Sequence, residues 1–188
     1  MERLPRTAAM TAVVQQAVRT LRAGGLILYP TDTVWGIGCD ATNAVAVMKI
    51  FALKRRADSR SLIVLMSGIA MLRRHVAQLP DVAVCLIETA TTPLTIIYPQ
   101  AQNLAENIPA ADGSVAVRLV RHPFCEQLIQ TFGKPIVSTS ANLSGQPSPA
   151  GFADIAEEIR RGCDLTVPPS HEGAPTCRPS SIIKIIRP

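Results

Sequence analysis

The chain of 188 residues is long enough to bury one sizeable core, and 47% apolar against 18% charged residues excludes a disordered chain. Its net charge of +5 favours anionic partners such as nucleotides, phosphates or RNA, while only 4% aromatic residues argues against a base-stacking surface for single strands. No apolar run reaches transmembrane length, and Arg3 and Arg6 lack the apolar core of a signal peptide behind them.

In chain order, Met10, Val13, Val14, Ala17, Val18 and Leu21 recur at helical spacing, and Gly24-Gly25 ends the helix they predict. "LILYP" reads as a short buried strand and "TDTVWGIG" as the polar loop after it. Thr42 or Asn43 can cap a second helix, whose apolar face carries Val47, Met48 and Phe51. "SLIVLM" is a strand, and residues 68–90 are helical with a break near Pro80. "LTIIY" and "SVAVRLV" are strands, "HPFCEQLIQTF" is a helix stopped by Gly133, and "KPIVSTS" is another strand. Residues 152–161 form a helix, "TVPPSHEGAPTCRPS" a long surface loop or lid, and "DLTV" and "SIIKII" close the sheet. Strands and helices alternate without repeats, which predicts one α/β domain over 1–188. Several links are too short for crossover helices, so the sheet is expected to be mixed.

Cys39, Cys85, Cys125, Cys163 and Cys177 are widely spaced with no Cys-x-x-Cys, which fits reduced thiols in a cytoplasmic protein. His75, His122 and His171 stand alone, so no metal bound by protein side chains is expected. Neither a Gly-x-Ser-x-Gly elbow nor a Walker loop is present.

Four polar clusters fall at strand or helix ends, where α/β proteins place ligands. Thr31, Asp32 and Thr33 follow the first strand; a capped turn is the plain alternative. Lys54, Arg55, Arg56 and Arg60 follow the second helix, where a solvated basic end favoured by the helix dipole is the alternative. Ser114 and Arg118 share a face of "SVAVRLV", and an arginine in an alternating apolar strand is costly unless it meets an anion. Ser138 and Ser140 share a face of "KPIVSTS", with Asn142 and Ser148 in the loop beyond. Together these supply many hydroxyls and several cations, with no nucleophile and no general base. Such a site binds polyanions and small polar molecules and lets them react with one another, as in phosphoryl or nucleotidyl transfer.

"YPTDTVWGIGCDATNAVAVMKIFALKRR", "SVAVRLVRHP" and "KPIVSTSANLSGQPSP" resemble, in order and spacing, the YrdC/Sua5 family of threonylcarbamoyl-AMP synthases, over residues 12–186. The resemblance implies a YrdC-like twisted mixed sheet with flanking helices and a concave basic face, in the short form without a C-terminal Sua5 domain. It implies synthesis of threonylcarbamoyl-adenylate and pyrophosphate from L-threonine, bicarbonate and ATP, with Mg2+ arriving on the nucleotide. The product would serve t6A modification at position 37 of tRNA, through transient contact with downstream threonylcarbamoyl-transfer proteins.

By the same likeness Thr33, Arg118, Ser138 and Ser180 surround threonine. Arg56, Arg60, Ser114, Ser140 and Ser148 surround ATP; Lys54 faces the phosphates and with Arg56 carries the catalysis; Asn142 shapes the loop on the ATP side. Arg187 matches a last ATP-side arginine, and Leu65 stands where some members place a histidine. A double-stranded RNA-binding module and a carbamoyl-transfer maturation domain of the same fold are the competing readings.

Overall fold

The computed structural model describes residues 6–55 and 62–186. Helix α1 (Arg6–Arg22) buries Val14, Ala17, Val18 and Leu21. It stops where Gly24 takes a left-handed conformation, φ +71°, and Gly25 N–H closes back on the Thr20 carbonyl. Strands β1 (Ile27–Tyr29) and β2 (Gly36–Gly38) follow, then α2 (Ala44–Leu53). Of the two possible caps for α2, Asn43 does the work, its Oδ1 accepting from Ala46 N–H; Thr42 hydrogen-bonds Asp40 instead. Next come β3 (Ile63–Met66), α3 (Ile69–His75), α4 (Asp81–Thr89), β4 (Leu94–Tyr98) and β5 (Val115–Leu119). The break between α3 and α4 is at Pro80, as the sequence predicts.

Helix α5 (Pro123–Phe132) has proline in its first turn and Gly133 at φ +78° as its left-handed stop, and it packs on α1. Strand β6 (Ile136–Ser140), α6 (Glu157–Gly162), β7 (Leu165–Thr166) and β8 (Ser181–Lys184) complete the chain. The helix expected over 152–161 is in fact two pieces, a 3-10 turn at Phe152–Asp154 and then α6.

The eight strands form one sheet in the order β7-β1-β2-β6-β3-β5-β4-β8. Pairs β1/β7, β3/β5 and β4/β8 are parallel; β1/β2, β2/β6, β3/β6 and β4/β5 are antiparallel. The sheet is therefore mixed. Strand β2 lies inside the segment that reads as a loop. Its Gly38 has no room for a side chain, since a Cβ there would stand 2.6 Å from the Val137 carbonyl and 2.7 Å from the Tyr29 ring. A glycine-rich strand carries little β-propensity, so its pairing is dictated by its neighbours.

Ladder register decides what each face carries. Ser138 pairs with Ile63, Leu65 with Arg118, and Arg118 with Thr95, so Ser138, Ser140, Arg118 and Thr95 point to one side. Val64, Val117, Ile96 and Tyr98 point to the other, into the core.

All five cysteines are free. Burial pushes the Cys39 and Cys125 thiols far up, and burial followed by the neighbouring Asp164 raises Cys163 to about 12. A thiol reagent at pH 8 should therefore label the exposed Cys85 and Cys177 in the native protein and the other three only after denaturation. Rapid reaction of a third thiol would contradict this packing. No helix among the described residues is long and apolar enough to cross a membrane.

Candidate active site

The segment between β1 and β2 is wired by its own hydroxyls. Thr31 Oγ1 donates to the Val34 carbonyl at 2.8 Å and accepts from Thr33 N–H at 3.1 Å. Its single proton is thereby used, so in the 3.0 Å contact between the two hydroxyls Thr33 is the donor. Thr33 is left with oxygen lone pairs for a ligand, which makes it an acceptor for an amine or a hydroxyl.

Arg118 sits in the middle of the sheet with only 4% of its side chain exposed. Its Nη2 lies 3.2 Å from Asp32 Oδ1, close enough for an ion pair. The two are not aligned as a hydrogen bond, and both Asp32 Oδ1 and Arg118 Nε lack a hydrogen-bond partner among the described residues. A buried guanidinium with an unfilled Nε is costly by itself and is satisfied by an incoming anion.

Across β3 from Arg118, Ser138 and Ser140 of β6 line the same cavity. Gly36 of β2 pairs with Ser140, and a Cβ there would lie 3.0 Å from Ser138 Oγ. Glycine at this position keeps the floor of the site open. Beyond β6, Lys54 is buried, and its ammonium donates to the carbonyls of Ser140 at 2.5 Å and Asn142 at 2.6 Å. Asn142 Nδ2 donates to the Leu143 and Gln146 carbonyls, which curls the loop that carries Ser148.

Residues 172–180 run past the segment between β1 and β2, and Pro179 and Ser180 reach the site. Trp35 Nε1 donates to Glu172 Oε1 at 2.7 Å, and the ring Nε2 of His122 lies 3.0 Å from the Glu172 carbonyl. Thr176 N–H and Cys177 N–H donate to the carbonyls of Asp32 and Thr33, and Ser180 Oγ meets Thr95 Oγ1 at 2.7 Å. The result is a cavity of ≈ 210 Å³ walled by Thr33, Arg118, Ser138, Ser140, Ser148 and Ser180. That is smaller than the ~300 Å³ where sites for drug-sized ligands begin, and it suits a small polar metabolite.

A second cavity, ≈ 230 Å³, opens on the opposite face of the sheet. Its walls mix aliphatic side chains with Asp32, Thr91, Thr92 and Thr176, and its guanidinium, Arg121, is spent on the Ala90 and Ile87 carbonyls. The sequence-predicted hydroxyls and Arg118 line the smaller cavity.

A family model described as telomere recombination, for Sua5, YciO and YrdC proteins, matches residues 19–188. The chain belongs to the Sua5/YciO/YrdC family. The threonylcarbamoyl-AMP synthase of Vibrio cholerae is 38% identical, over 74% of this chain and 76% of the relative. That of Pseudomonas aeruginosa is 42% identical, over 71% of this chain and 72% of the relative. P. abyssi Sua5 complexed with L-threonine superposes with a TM-score of 0.84 at 28% identity, covering 98% of this chain and 52% of that one. The chain thus spans about half the length of the P. abyssi protein.

In this Sua5/YciO/YrdC chain the structure gathers Thr33, Arg118, Ser138 and Ser180 around one cavity, with Ser140 and Ser148 at its edge. It does not bring Ser114 to them. That hydroxyl donates to Asp112 Oδ1 at the far end of β5, where Lys184 holds the other carboxylate oxygen. Four residues of extended strand, about 13 Å, separate Ser114 from Arg118, and the register of β3 with β5 and β6 sets Ser114 level with Ser140, across β3.

The sequence assigns Lys54 to phosphates; its ammonium also donates to two loop carbonyls and so holds the Ser140–Asn142 segment. Arg56, Arg60 and Arg187 lie outside the described residues. Leu65, at the position some family members give to histidine, is fully buried beside Arg118.

Sequence reasoning misses Thr95, Gly36 and the Trp35–Glu172 contact. Only Gly36 had a signal, its place in the "WGIG" run after the Thr-Asp-Thr turn. Among the described residues no three His, Cys, Asp or Glu side chains gather as a metal site.

Proposed function

We propose that this chain is an L-threonylcarbamoyladenylate synthase, a nucleotidyltransferase that makes threonylcarbamoyl-AMP and pyrophosphate from L-threonine, bicarbonate and ATP. The observation that carries the reading is Arg118: a buried guanidinium with an unfilled Nε, set among hydroxyls in an amino-acid-sized cavity. The names of the V. cholerae and P. aeruginosa relatives and the threonine complex of P. abyssi Sua5 support it.

Arg118 takes the threonine carboxylate, Thr33 accepts from the amine or the side-chain hydroxyl, and Ser138 and Ser180 complete the amino-acid subsite. Bicarbonate condenses with the amine, releasing water and leaving a carbamate. A carbamate oxygen attacks the α-phosphorus of ATP, the bond to the β-phosphate oxygen breaks, and pyrophosphate leaves with the electron pair. No protein nucleophile is needed, so the chain contributes position and charge. Ser140, Ser148 and the Lys54-held loop, with Asn142 shaping it, border the nucleotide, and Arg56, Arg60 and Arg187 supply the remaining cations. Magnesium enters on the triphosphate as part of the substrate. The adenylate passes to threonylcarbamoyl-transfer proteins acting on tRNA in the cytoplasm.

A double-stranded RNA-binding module would present its cations on an open surface, and Arg118 is enclosed. A carbamoyl-transfer domain would show no dependence on threonine.

The test is pyrophosphate release with each substrate omitted in turn. Release should need threonine, bicarbonate and ATP together. Serine, one methyl smaller, should be poorer by about 10–200-fold in kcat/KM, and 2-aminobutyrate, which lacks the hydroxyl, by about 10⁴. Equal release with serine or with no amino acid rejects the proposal.

A further inference from the structure

Thr95 occupies a fully buried position on β4, where the alternation of "LTIIY" and plain strand packing would favour valine or isoleucine. A hydroxyl sealed at such a site is costly unless it is used. Thr95 is the direct cross-strand neighbour of Arg118 and points to the same face. Its hydroxyl meets Ser180 Oγ at 2.7 Å, and Ser180 in turn lines the amino-acid cavity.

The backbone at Ser180 does not need this contact. The next residue, Ser181, donates its N–H to the Pro93 carbonyl, and β8 continues in register along β4. What Thr95 controls is therefore the direction of the Ser180 hydroxyl. Each of the two hydroxyls has one proton. If Thr95 donates to Ser180, the Ser180 proton is released toward the cavity, where Arg118 concentrates anionic oxygen. If Thr95 is lost, Ser180 has no fixed donor behind it and is free to rotate.

We infer that Thr95 is a positioning residue for the amino-acid substrate, holding Ser180 as a hydrogen-bond donor toward the threonine carboxylate beside Arg118. This rests on the synthase reading above.

The experiment compares Thr95→Val, Thr95→Ser, Ser180→Ala and the double variant Thr95→Val/Ser180→Ala with the wild type, by threonine calorimetry and by pyrophosphate release. Thr95→Val, close in shape and lacking the hydroxyl, should weaken threonine binding about tenfold and raise its KM by the same factor, with the ATP KM and kcat within about twofold. Thr95→Ser should stay close to wild type. The double variant should bind no worse than Ser180→Ala, because the two residues act in series.

Unchanged threonine affinity in Thr95→Val, an equal rise in the ATP KM, or additive losses in the double variant would each overturn the inference while leaving the synthase reading intact. A wild-type protein that shows no threonine heat overturns both.

Discussion

Arg118→Ala should raise the threonine KM and Kd by roughly 10–150-fold, the equivalent of the 1.5–3 kcal/mol carried by a hydrogen bond to a charged group. The guanidinium is buried at 4% exposure beside Asp32, and water reaches it poorly, so no solvent shell can replace a lost substrate contact. Lysine should rescue little. Its ammonium is a point charge on a flexible stem and cannot present Nε and Nη to two carboxylate oxygens at once. The substitution also leaves Asp32 without its cation, so a thermal melt belongs beside the calorimetry. Arg118→Ala/Asp32→Asn removes both charges and should recover stability without recovering threonine affinity. Wild-type threonine binding in Arg118→Ala would place the carboxylate elsewhere.

Lys54→Met should cost about 2–4 kcal/mol of stability, because two half-buried carbonyls, Ser140 and Asn142, lose a charged donor that the thioether cannot replace. For a chain of this size that is a drop of roughly 6–12 °C in Tm. A solvated helix-end lysine would lose only a few tenths of a kcal/mol, so the melt alone separates the two pictures. The loop released by the substitution carries Ser140 and Ser148, and turnover and the ATP KM should suffer more than the threonine KM. A variant with wild-type Tm and wild-type turnover would mean that Asn142, through the Leu143 and Gln146 carbonyls, is enough to hold the loop.

Much of the architecture is legible in the chain because it depends on near neighbours. Leu21 and Gly24 are three apart, and the periodic face and the left-handed stop of α1 need nothing beyond that stretch. The same holds for Pro123 and Gly133 at the ends of α5 and for the break at Pro80. The alternation in "SVAVRLV" put Arg118 on an otherwise apolar strand, and the cost of that placement singled the residue out before any fold was known. Motif order through Thr33, Arg118, Ser138 and Ser140 pointed to one cavity, and they do share it.

Ser114 shows what alternation alone leaves open. Side-chain alternation told which face it occupies, while the Asx turn with Asp112 decided that its hydroxyl is used at the other end of the strand. Strand β2 was hidden because Gly36 and Gly38 are there for closeness, one to spare Ser138 and the other to admit Tyr29. Those are properties of neighbours that arrive from other parts of the chain.

By itself the sequence determined most of the helices, the longer strands and the identity of the polar side chains at the strand ends, since each follows from contacts within a few residues, and its short links called for a mixed sheet. The tertiary structure alone decided how those side chains spend their hydrogen bonds. Lys54 reaches a carbonyl 86 positions away, Trp35 reaches Glu172 across 137, and Thr95 finds Ser180 across 85. A hydroxyl or an ammonium can serve many partners. Which one it meets is set by strand order and register, and these arise from burying the whole apolar surface at once.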